Sequence, residues 1–511
     1  MNQCNHNNRM TGLQKTGLLL GFLFFFGMFF FELDPDNPLV TKMASVAVLM
    51  SAFWITEAIP LAATALLPLI LYPLLGIMKG KDIAPVYFNS TIFLFIGGFI
   101  IALAMEKWNL HKRISLWIIR LIGGGPSRII LGFMVASAFL SMWISNTATA
   151  IMMVPMGMAI ILKMEEEFGI KTTHKFAVSL MLAIAYSCTV GGIATLVGTP
   201  PNLSFARIFE ITFPKADPVT FGRWIFMGLP LSIIMGIIIW FLLTKVFFRL
   251  SPHFKVDKAI LDKEYEELGP LRFEEKVVSA VFLITALLWI FRKKLELGYI
   301  TIPGWSILLP YSSFVDDGTV AVFMAATLFF IPTKSEDAKE SAIIDAGIIA
   351  NLPWNIVLLF GGGFALAKGF QYTGFAGLIG HKFEWLAGTS PVAIILSICT
   401  SLTFLTELTS NTATTEMILP VLASVAVAMK INPLILMIPA TLSTSCAFMI
   451  PVATPPNAII FGSRRVKVAE MAFAGIFINI IGVILITAIF YFWGTSMFSI
   501  DFEKFPIWAQ R

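Results

Sequence analysis

The chain has 511 residues, of which 57% are hydrophobic and only 13% charged, and its mean hydropathy is +0.83. This composition is that of a polytopic membrane protein rather than a soluble domain. The formal net charge is a modest +5, and no basic run is interleaved with aromatic residues, so nucleic acid is not an expected partner.

Apolar segments follow one another along nearly the whole chain. Four short apolar arms flank two polar motifs and predict hairpins at 128–163 and 391–428. An arm of about 16 residues reaches roughly 24 Å, short of a ~30 Å hydrocarbon core, so each motif indicates either a broken helix or a re-entrant hairpin. The remaining apolar segments predict eleven transmembrane helices near 17–31, 39–56, 60–77, 91–105, 176–198, 226–248, 276–291, 319–332, 354–370, 433–452 and 470–494. The expected fold is an all-α polytopic membrane protein with two re-entrant hairpins.

Three motifs occur twice, once in each half of the chain. They are a glycine-containing apolar run, the sequence Ser-Asn-Thr-Ala-Thr and the sequence Thr-Pro-Pro-Asn, and they begin at Leu94 and Leu359, Ser145 and Ser410, and Thr199 and Thr454. The first two pairs are each 265 residues apart and the third 255, so a duplication explains all three. Each half then holds five spans and one hairpin. Because the number of spans in a half is odd, the two halves must have opposite orientations in the membrane, which predicts an inverted internal repeat.

These repeats set the domain boundaries. We expect an N-terminal tail with the first helix at 1–38, a first repeat at 39–250, a cytoplasmic connector at 251–275, a second repeat at 276–496 and a C-terminal tail at 497–511. Placing the N-terminus in the cytoplasm puts most basic loops on that side and the C-terminus outside. The exception is Arg292-Lys293-Lys294, which falls outside. The expected location is the plasma membrane, the inner membrane in a bacterium.

The repeated polar motifs have the chemistry of an ion site. Proline ends each helix before Thr-Pro-Pro-Asn and frees its last carbonyls, although a single copy would also suit a simple kink. Carbonyl, Asn and Ser oxygens suit an alkali cation, and the helix N-termini at the hairpin tips suit a carboxylate or another anion. Because these motifs contain no Lys or Arg, a bound anion must be balanced by bound cations, which predicts cation coupling.

Two acids flank the second Ser-Asn-Thr motif. Glu407 and Glu416 occupy positions where the first half has Met142 and Ile151. Acids within a membrane are functional by default, but a structural hydrogen-bonding role is the alternative here.

At these residues the chain resembles the divalent anion/sodium symporter family, which carries di- and tricarboxylates or sulfate. The resemblance rests on Trp54-Ile55-Thr56-Glu57-Ala58-Ile59-Pro60, both Ser-Asn-Thr tips and both Thr-Pro-Pro-Asn breaks, and covers nearly the whole chain. It implies a secondary active transporter that couples sodium to C4-dicarboxylates of the succinate, malate and fumarate class. It also implies a homodimer whose transport domain moves against a scaffold in an elevator motion.

The same resemblance implies particular site residues. The first sodium site would use Ser141, Ser145, Asn146 and the carbonyl of Gly198, and the second would use Thr406, Ser410, Asn411 and the carbonyl of Ala453. The substrate carboxylates would meet Asn146, Thr147, Asn411 and Thr412, with Thr199, Pro200, Thr454 and Pro455 closing the pocket.

Other functions remain open at this point. The chain could be a sodium-independent anion exchanger, or a family member selective for citrate or sulfate. A membrane subunit of a proton-translocating complex would need a chain of mid-membrane Lys, His and Glu residues, which this sequence lacks. Enzyme signatures such as HExxH, GxSxG and the P-loop are absent, so we do not expect an enzyme.

Overall fold

The computed structural model describes residues 10–250, 259–297, 300–335, 340–383, 385, 388–502 and 504–510. Within these ranges the chain is almost wholly helical, and its sheet is a small antiparallel pair with Glu296 opposite Thr301. Parts of the expected N-terminal tail (1–9), connector (251–258) and C-terminal tail (503 and 511) lie outside the described residues.

The helices of the first half include one pair that forms a hairpin (α8 and α9) and one pair that is separated by a break (α10 and α11). They are α1 (Gly12–Met28), α2 (Pro38–Thr56), α3 (Leu61–Ala65), α4 (Leu67–Leu74), α5 (Gly80–Ile83), α6 (Ser90–Lys107), α7 (Leu110–Ile122), α8 (Pro126–Ser141), α9 (Asn146–Phe168), α10 (Ile170–Ile193), α11 (Pro200–Thr212) and α12 (Phe221–Phe241), which a π-helical turn at Leu242–Phe247 extends.

The second half of the chain follows, and its first helix, α13, lies within the expected connector at 251–275. Its elements are α13 (Ala259–Glu267), α14 (Phe273–Ile290), β1 (Leu295–Leu297), β2 (Ile300–Ile302), α15 (Asp317–Phe330), α16 (Gly347–Ala350), α17 (Trp354–Thr373), α18 (Phe375–Lys382), α19 (Pro391–Thr406), α20 (Asn411–Ala428), α21 (Leu434–Thr444), α22 (Pro455–Gly462), α23 (Val468–Ile489) with a π-helical turn at Phe490–Gly494, and α24 (Thr495–Met497).

Each of the eleven predicted spans coincides with helix. Seven helical stretches are long and apolar enough to cross a membrane by length and composition: Pro38–Thr56, Gly80–Lys107, Asn146–Phe168, Ile170–Ile193, Phe221–Phe247, Asn411–Ala428 and Val468–Met497. Among these, the apolar part of α10 is wholly buried in protein, although its first residues are exposed, and α10 packs against α8, α9, α12 and α22.

The two hairpins form where the sequence predicts them, but their second arms are longer than expected. The second arm of the first hairpin, α9, has 23 residues and continues through the charged segment 163–167, past the predicted end of the hairpin at 163. That arm is therefore long enough to cross a membrane, as is α20 with 18 residues, and the expectation that every arm is too short is wrong for both. The charged residues extend the helix because Lys and Glu are good helix formers.

Both Thr-Pro-Pro-Asn motifs interrupt helices, as predicted. Helix α10 ends at Ile193 and α11 begins at Pro200, while α21 ends at Thr444 and α22 begins at Pro455. In both places extended Thr precedes the prolines, which occupy the first turn of the new helix, where a missing N–H is tolerated. Each interruption leaves a short non-helical segment, called here break 1 (194–199) and break 2 (445–454).

Helices from the two halves pack against each other around the breaks. The tip-bearing helix α9 contacts α22, the helix that follows break 2. In the same way the tip-bearing helix α20 contacts α11, which follows break 1. Each tip is thus supported by its own half and by the break of the other half.

The connector docks on α7. The Arg113 guanidinium pairs with Glu275 at 2.6 Å and donates to the carbonyls of Leu268 and Gly269, and the hydrogen bond to Glu275 raises the pKa of Arg113. Arg120 pairs with Asp262 of α13 at 2.7 Å. The described part of the connector is therefore held by ion pairs along a basic face of α7.

Candidate functional site

The first tip is the turn between α8 and α9. Ser145 caps α9 by accepting a hydrogen bond from the backbone N–H of Ala148 at 3.2 Å. The Ser141 hydroxyl contacts the Asn146 side chain and donates to the carbonyl of Cys188 at 2.6 Å. The last turn of α8 is thus tied both to the start of α9 and to α10.

The Asn146 amide also reaches break 1. The hydrogen-bonding groups around the Asn146 side chain are satisfied when its amide nitrogen faces two carbonyl oxygens, that of Cys188 at 3.1 Å and that of Gly198 at 3.3 Å. The structure therefore brings Ser141, Asn146 and Gly198 together, as the family resemblance implies. These atoms gather hydroxyl, amide and carbonyl groups at one point of the fold.

The second tip, between α19 and α20, repeats this arrangement. The Thr406 hydroxyl lies 2.6 Å from Asn411 Oδ1 and 2.9 Å from the carbonyl of Thr444, to both of which it donates. Ser410 caps α20 as Ser145 caps α9. The second predicted group is less complete, since no hydrogen bond among the described residues joins Asn411 to Ala453.

The asparagines of the two Thr-Pro-Pro-Asn motifs hold the breaks in shape. Both Asn202 and Asn457 are fully buried, and each donates through Nδ2 to carbonyls freed by its break. The acceptors are Gly192, Ile193 and Thr195 for Asn202, and Ala447 and Ile450 for Asn457. The Oδ1 atoms of both asparagines have no hydrogen-bond partner among the described residues. Buried oxygens without a donor are sites that a cation can satisfy.

Break 1 is also held by one hydroxyl. Thr195 donates to the carbonyl of Met142 at 2.5 Å and accepts from the N–H of Gly198 at 3.0 Å. This side chain fixes the carbonyl of Gly198 relative to the first tip.

Break 2 is held by a carboxylate instead. Glu407 is 5% exposed and accepts from the N–H groups of Phe448 (2.7 Å), Met449 (2.9 Å) and Ile450 (3.3 Å), and from Asn479 Nδ2 (2.7 Å). Its oxygens are fully used by the protein, which favours the structural role for this acid. Met142, its counterpart in the first half, contributes only its carbonyl.

A glycine makes room for the first site. A Cβ built at Gly192 would lie 2.7 Å from the nearest atom of the Asn146 amide group and 3.1 Å from the carbonyl oxygen of Gly198. Only glycine therefore fits beside the Asn146 amide without moving it. The corresponding residue of the second half is Ala447.

The predicted substrate residues lie around the tips and breaks. The tip residues Asn146, Thr147, Asn411 and Thr412 are half-buried, Thr199 and Thr454 are buried, Pro200 is half-buried and Pro455 is exposed. The Thr454 hydroxyl has no partner among the described residues. The tip side chains are thus open enough to meet a ligand. Break 1 is buried, whereas break 2 is partly open, since Val452 is 84% exposed.

Sequence reasoning missed several supporting groups. Gly192 and the carbonyls of Cys188 and Thr444 all shape the two sites, and none stands inside a repeated motif. The sequence does single out Glu407 as a flanking acid, but not the N–H groups from which its carboxylate accepts. The asparagines Asn202 and Asn457 could have been found, because both occur at the same place in the Thr-Pro-Pro-Asn repeat.

Comparison with known proteins gives matches over nearly the whole chain. A family model described as the sodium:sulfate symporter transmembrane region matches residues 20–500. A protein of Staphylococcus aureus (strain NCTC 8325 / PS 47), the sodium-dependent dicarboxylate transporter SdcS, is 42% identical over 497 residues, which are 96% of this chain and 93% of that protein. The protein of the same name from Staphylococcus saprophyticus is 40% identical over 494 residues, with the same coverage.

Solved structures of low identity share the fold. The YdaH transporter of Alcanivorax borkumensis aligns with a TM-score of 0.52 at 11% identity, covering 83% of this chain and 88% of that one. MtrF of Neisseria gonorrhoeae, described as illuminating a class of antimetabolite efflux pumps, aligns with a TM-score of 0.52 at 14% identity, covering 83% and 84%. At these identities the likeness concerns the polytopic helical fold alone.

Proposed function

The chain belongs to the sodium:sulfate symporter family, and on that premise we propose that it is a secondary active transporter that carries C4-dicarboxylates into the cell together with sodium ions. It is an integral membrane protein of the plasma membrane and not an enzyme. The relatives named as sodium-dependent dicarboxylate transporters support dicarboxylate as the substrate and sodium as the co-transported ion.

The observation that carries this proposal is the pairing of a hydroxyl and an amide at each tip. Ser141 meets Asn146, and Thr406 meets Asn411 at 2.6 Å, each pair lying beside a carbonyl of an interrupted helix. Such oxygen sets suit sodium, and the proposed ligands are those implied by the family resemblance. Two equivalent tips would give a dicarboxylate one binding group for each charged end.

The site also explains why transport needs a cation. No Lys or Arg stands in the four motifs, so a dianion bound between the tips is balanced by helix N-termini, hydroxyl groups and sodium. Without sodium, the dianion would lose its main source of positive charge. Substrate binding therefore depends on sodium binding first.

The test is uptake of radiolabelled succinate, citrate and sulfate into proteoliposomes that contain the purified protein. With an inward sodium gradient we expect succinate uptake well above that of the other two anions, and its collapse when potassium or choline replaces sodium. Equal uptake in choline, with acceleration by internal dicarboxylate, would instead identify an exchanger. Preferential uptake of citrate or sulfate would retain the family and change the substrate.

We also propose that the N-terminus is cytoplasmic and the C-terminus outside. Arg292, in the one basic triplet that opposes this orientation, is 4% exposed and pairs with Asp317 at 2.5 Å. The proposal rests on the other basic loops, most of which this orientation places in the cytoplasm, and the triplet remains an exception to the bias. Cysteine labelling from either side of the membrane at engineered terminal positions would establish the orientation.

The elevator motion and the homodimer are further parts of the proposal. The ion pairs between α7 and the connector would hold these two elements together as one rigid unit during such a motion. Cross-linking of engineered cysteine pairs between the proposed domains, with and without sodium, tests the motion. Light scattering of the detergent-solubilised protein tests for two copies.

A further inference from the structure

Glu416 is a buried acid that the proposed transport site does not use. It lies on α20, five residues beyond Asn411, and its side chain has no exposed surface. The Ser204 hydroxyl of α11 donates to Oε1 at 2.5 Å, whereas Oε2 has no hydrogen-bond partner among the described residues. Glu407, by contrast, accepts four hydrogen bonds, whereas Glu416 accepts one.

The unpartnered oxygen faces backbone rather than a cavity. A Cβ built at Gly363 of α17 would overlap Glu416 Oε2, so this oxygen occupies the space that a side chain would otherwise fill. A metal cation held by Glu416 would need several further oxygen ligands, and within the described part of the chain the only oxygen in hydrogen-bond contact with this carboxyl is that of Ser204.

Charged side chains on the surrounding helices do not compensate Glu416. The elements packed against α20 are α2, α11, α17, α18 and α21, and their titratable groups are Lys42, Arg207, Glu210, Lys368, Tyr372, His381 and Lys382. Arg207 pairs with Glu210 at 2.7 Å, and no ion pair among the described residues includes Glu416. An ionised carboxylate in these surroundings would be buried without a countercharge, which is strongly unfavourable.

We infer that Glu416 is a proton-binding site, distinct from the sodium sites, where a neutral carboxylic acid joins the two halves of the protein. The acid belongs to the helix that starts at the second tip, and Ser204 belongs to the helix that starts at break 1. Loss of the proton places an uncompensated charge between these helices. The first half has Ile151 at the corresponding position, so the effect is confined to one tip.

The inference rests on the proposed transport for one of its two readouts. In proteoliposomes with saturating sodium and succinate, above neutral pH where succinate stays a dianion, uptake by the unaltered protein falls as Glu416 ionises. Past the midpoint of this fall the decline approaches about tenfold per pH unit, the rate at which the protonated fraction decreases. Glu416→Gln mimics the neutral acid and loses this alkaline decline.

The matched control is Glu210→Gln, the same change on α11 at an acid whose side chain is 43% exposed. This variant keeps the alkaline decline of the unaltered protein. The same alkaline decline in Glu416→Gln as in the unaltered protein would overturn the inference. A lower cooperativity of sodium activation in Glu416→Gln would also overturn it, because Glu416 would then be a sodium ligand.

The second readout does not require transport. Infrared spectroscopy of the purified protein detects the carbonyl stretch of a protonated buried carboxylic acid. We expect this band at neutral pH, its shift in Ser204→Ala and its absence in Glu416→Gln. Absence of the band from the unaltered protein would overturn the inference, and a protein that shows the band but carries no succinate would contradict only the proposed function.

Discussion

The Thr406 hydroxyl lies 2.6 Å from Asn411 Oδ1, which ties the last residue of α19 to the first residue of α20. The same hydroxyl donates to the carbonyl of Thr444 at the end of α21, so a single side chain joins the tip to the helix that is about to break. Ser141 makes the equivalent contacts with Asn146 and Cys188. The two tips are therefore built alike, and their amides are expected to act alike.

Removal of either tip amide should abolish transport. In Asn146→Ala or Asn411→Ala, sodium loses one ligand of a small oxygen site, which should cost roughly 1–3 kcal/mol of binding free energy. The measurement is the sodium concentration for half-maximal succinate uptake, together with thermal unfolding to show that the fold persists. Asn351→Ala, at an exposed asparagine, is the control. Normal sodium dependence in either tip variant would make the repeat purely structural.

Gly192→Ala should damage the first site without removing a ligand. The new methyl group would press on the Asn146 side chain and the Gly198 carbonyl, so a higher sodium concentration should be needed for uptake. Gly236→Ala on α12 adds the same methyl group where no atom lies within 4 Å, and it should transport normally. Equal sodium dependence of the two variants would show that Asn146 and Gly198 do not bind the ion in this arrangement.

Thr412→Val tests whether each tip holds one carboxylate. The change removes a hydroxyl at nearly constant volume, and an unpaired carboxylate oxygen should cost roughly 1.5–3 kcal/mol, or about ten- to hundredfold in apparent succinate affinity. Thr400→Val, at an exposed threonine that bonds within its own helix, should have no effect. Butyrate should compete poorly with succinate, because it leaves one tip without a charge. Strong competition by butyrate would mean that the tips do not divide the carboxylates.

Glu407→Gln should weaken break 2. The single carbonyl oxygen of Gln can still accept from Phe448 and Met449, but an amide nitrogen in place of Oε2 cannot accept the hydrogen bond that Ile450 donates, so at least one N–H loses its partner, at a cost of roughly 1–3 kcal/mol in the free energy of unfolding. The melting temperature in detergent should fall, and uptake should fall with it. The same change at exposed Glu106 should leave both unchanged. A variant with normal stability and altered sodium affinity would assign Glu407 a direct part in ion binding.

The spans, tips and breaks could be predicted because their signals are local. Apolar length gives the helices, and proline at Pro200 and Pro455 fixes where two of them restart. The end of α9 was misjudged because the charged residues 163–167 mark a membrane boundary but do not stop a helix. In α9 the apolar sequence ends before the charged segment, whereas the helix continues to Phe168.

The rest of the site depends on contacts between residues far apart in sequence. The hydrogen bond between Ser204 and Glu416 spans 212 residues, and that between Asn479 and Glu407 spans 72. Nothing in the sequence near Glu407 or Glu416 distinguishes a fully bonded acid from one with a free oxygen. That difference arises only from which helices of the two halves become neighbours.

The crossed packing of the halves has a consequence for biosynthesis. Helix α9 is covered by α22, and α11 by α20, so the helix after the first break meets its partner only after residue 411 has been made, and the first tip only after residue 455. A nascent first half therefore holds every proposed ligand of its own sodium site while its polar tip is still uncovered. A ribosome that stalls before residue 455 would leave that tip without the helix that covers it.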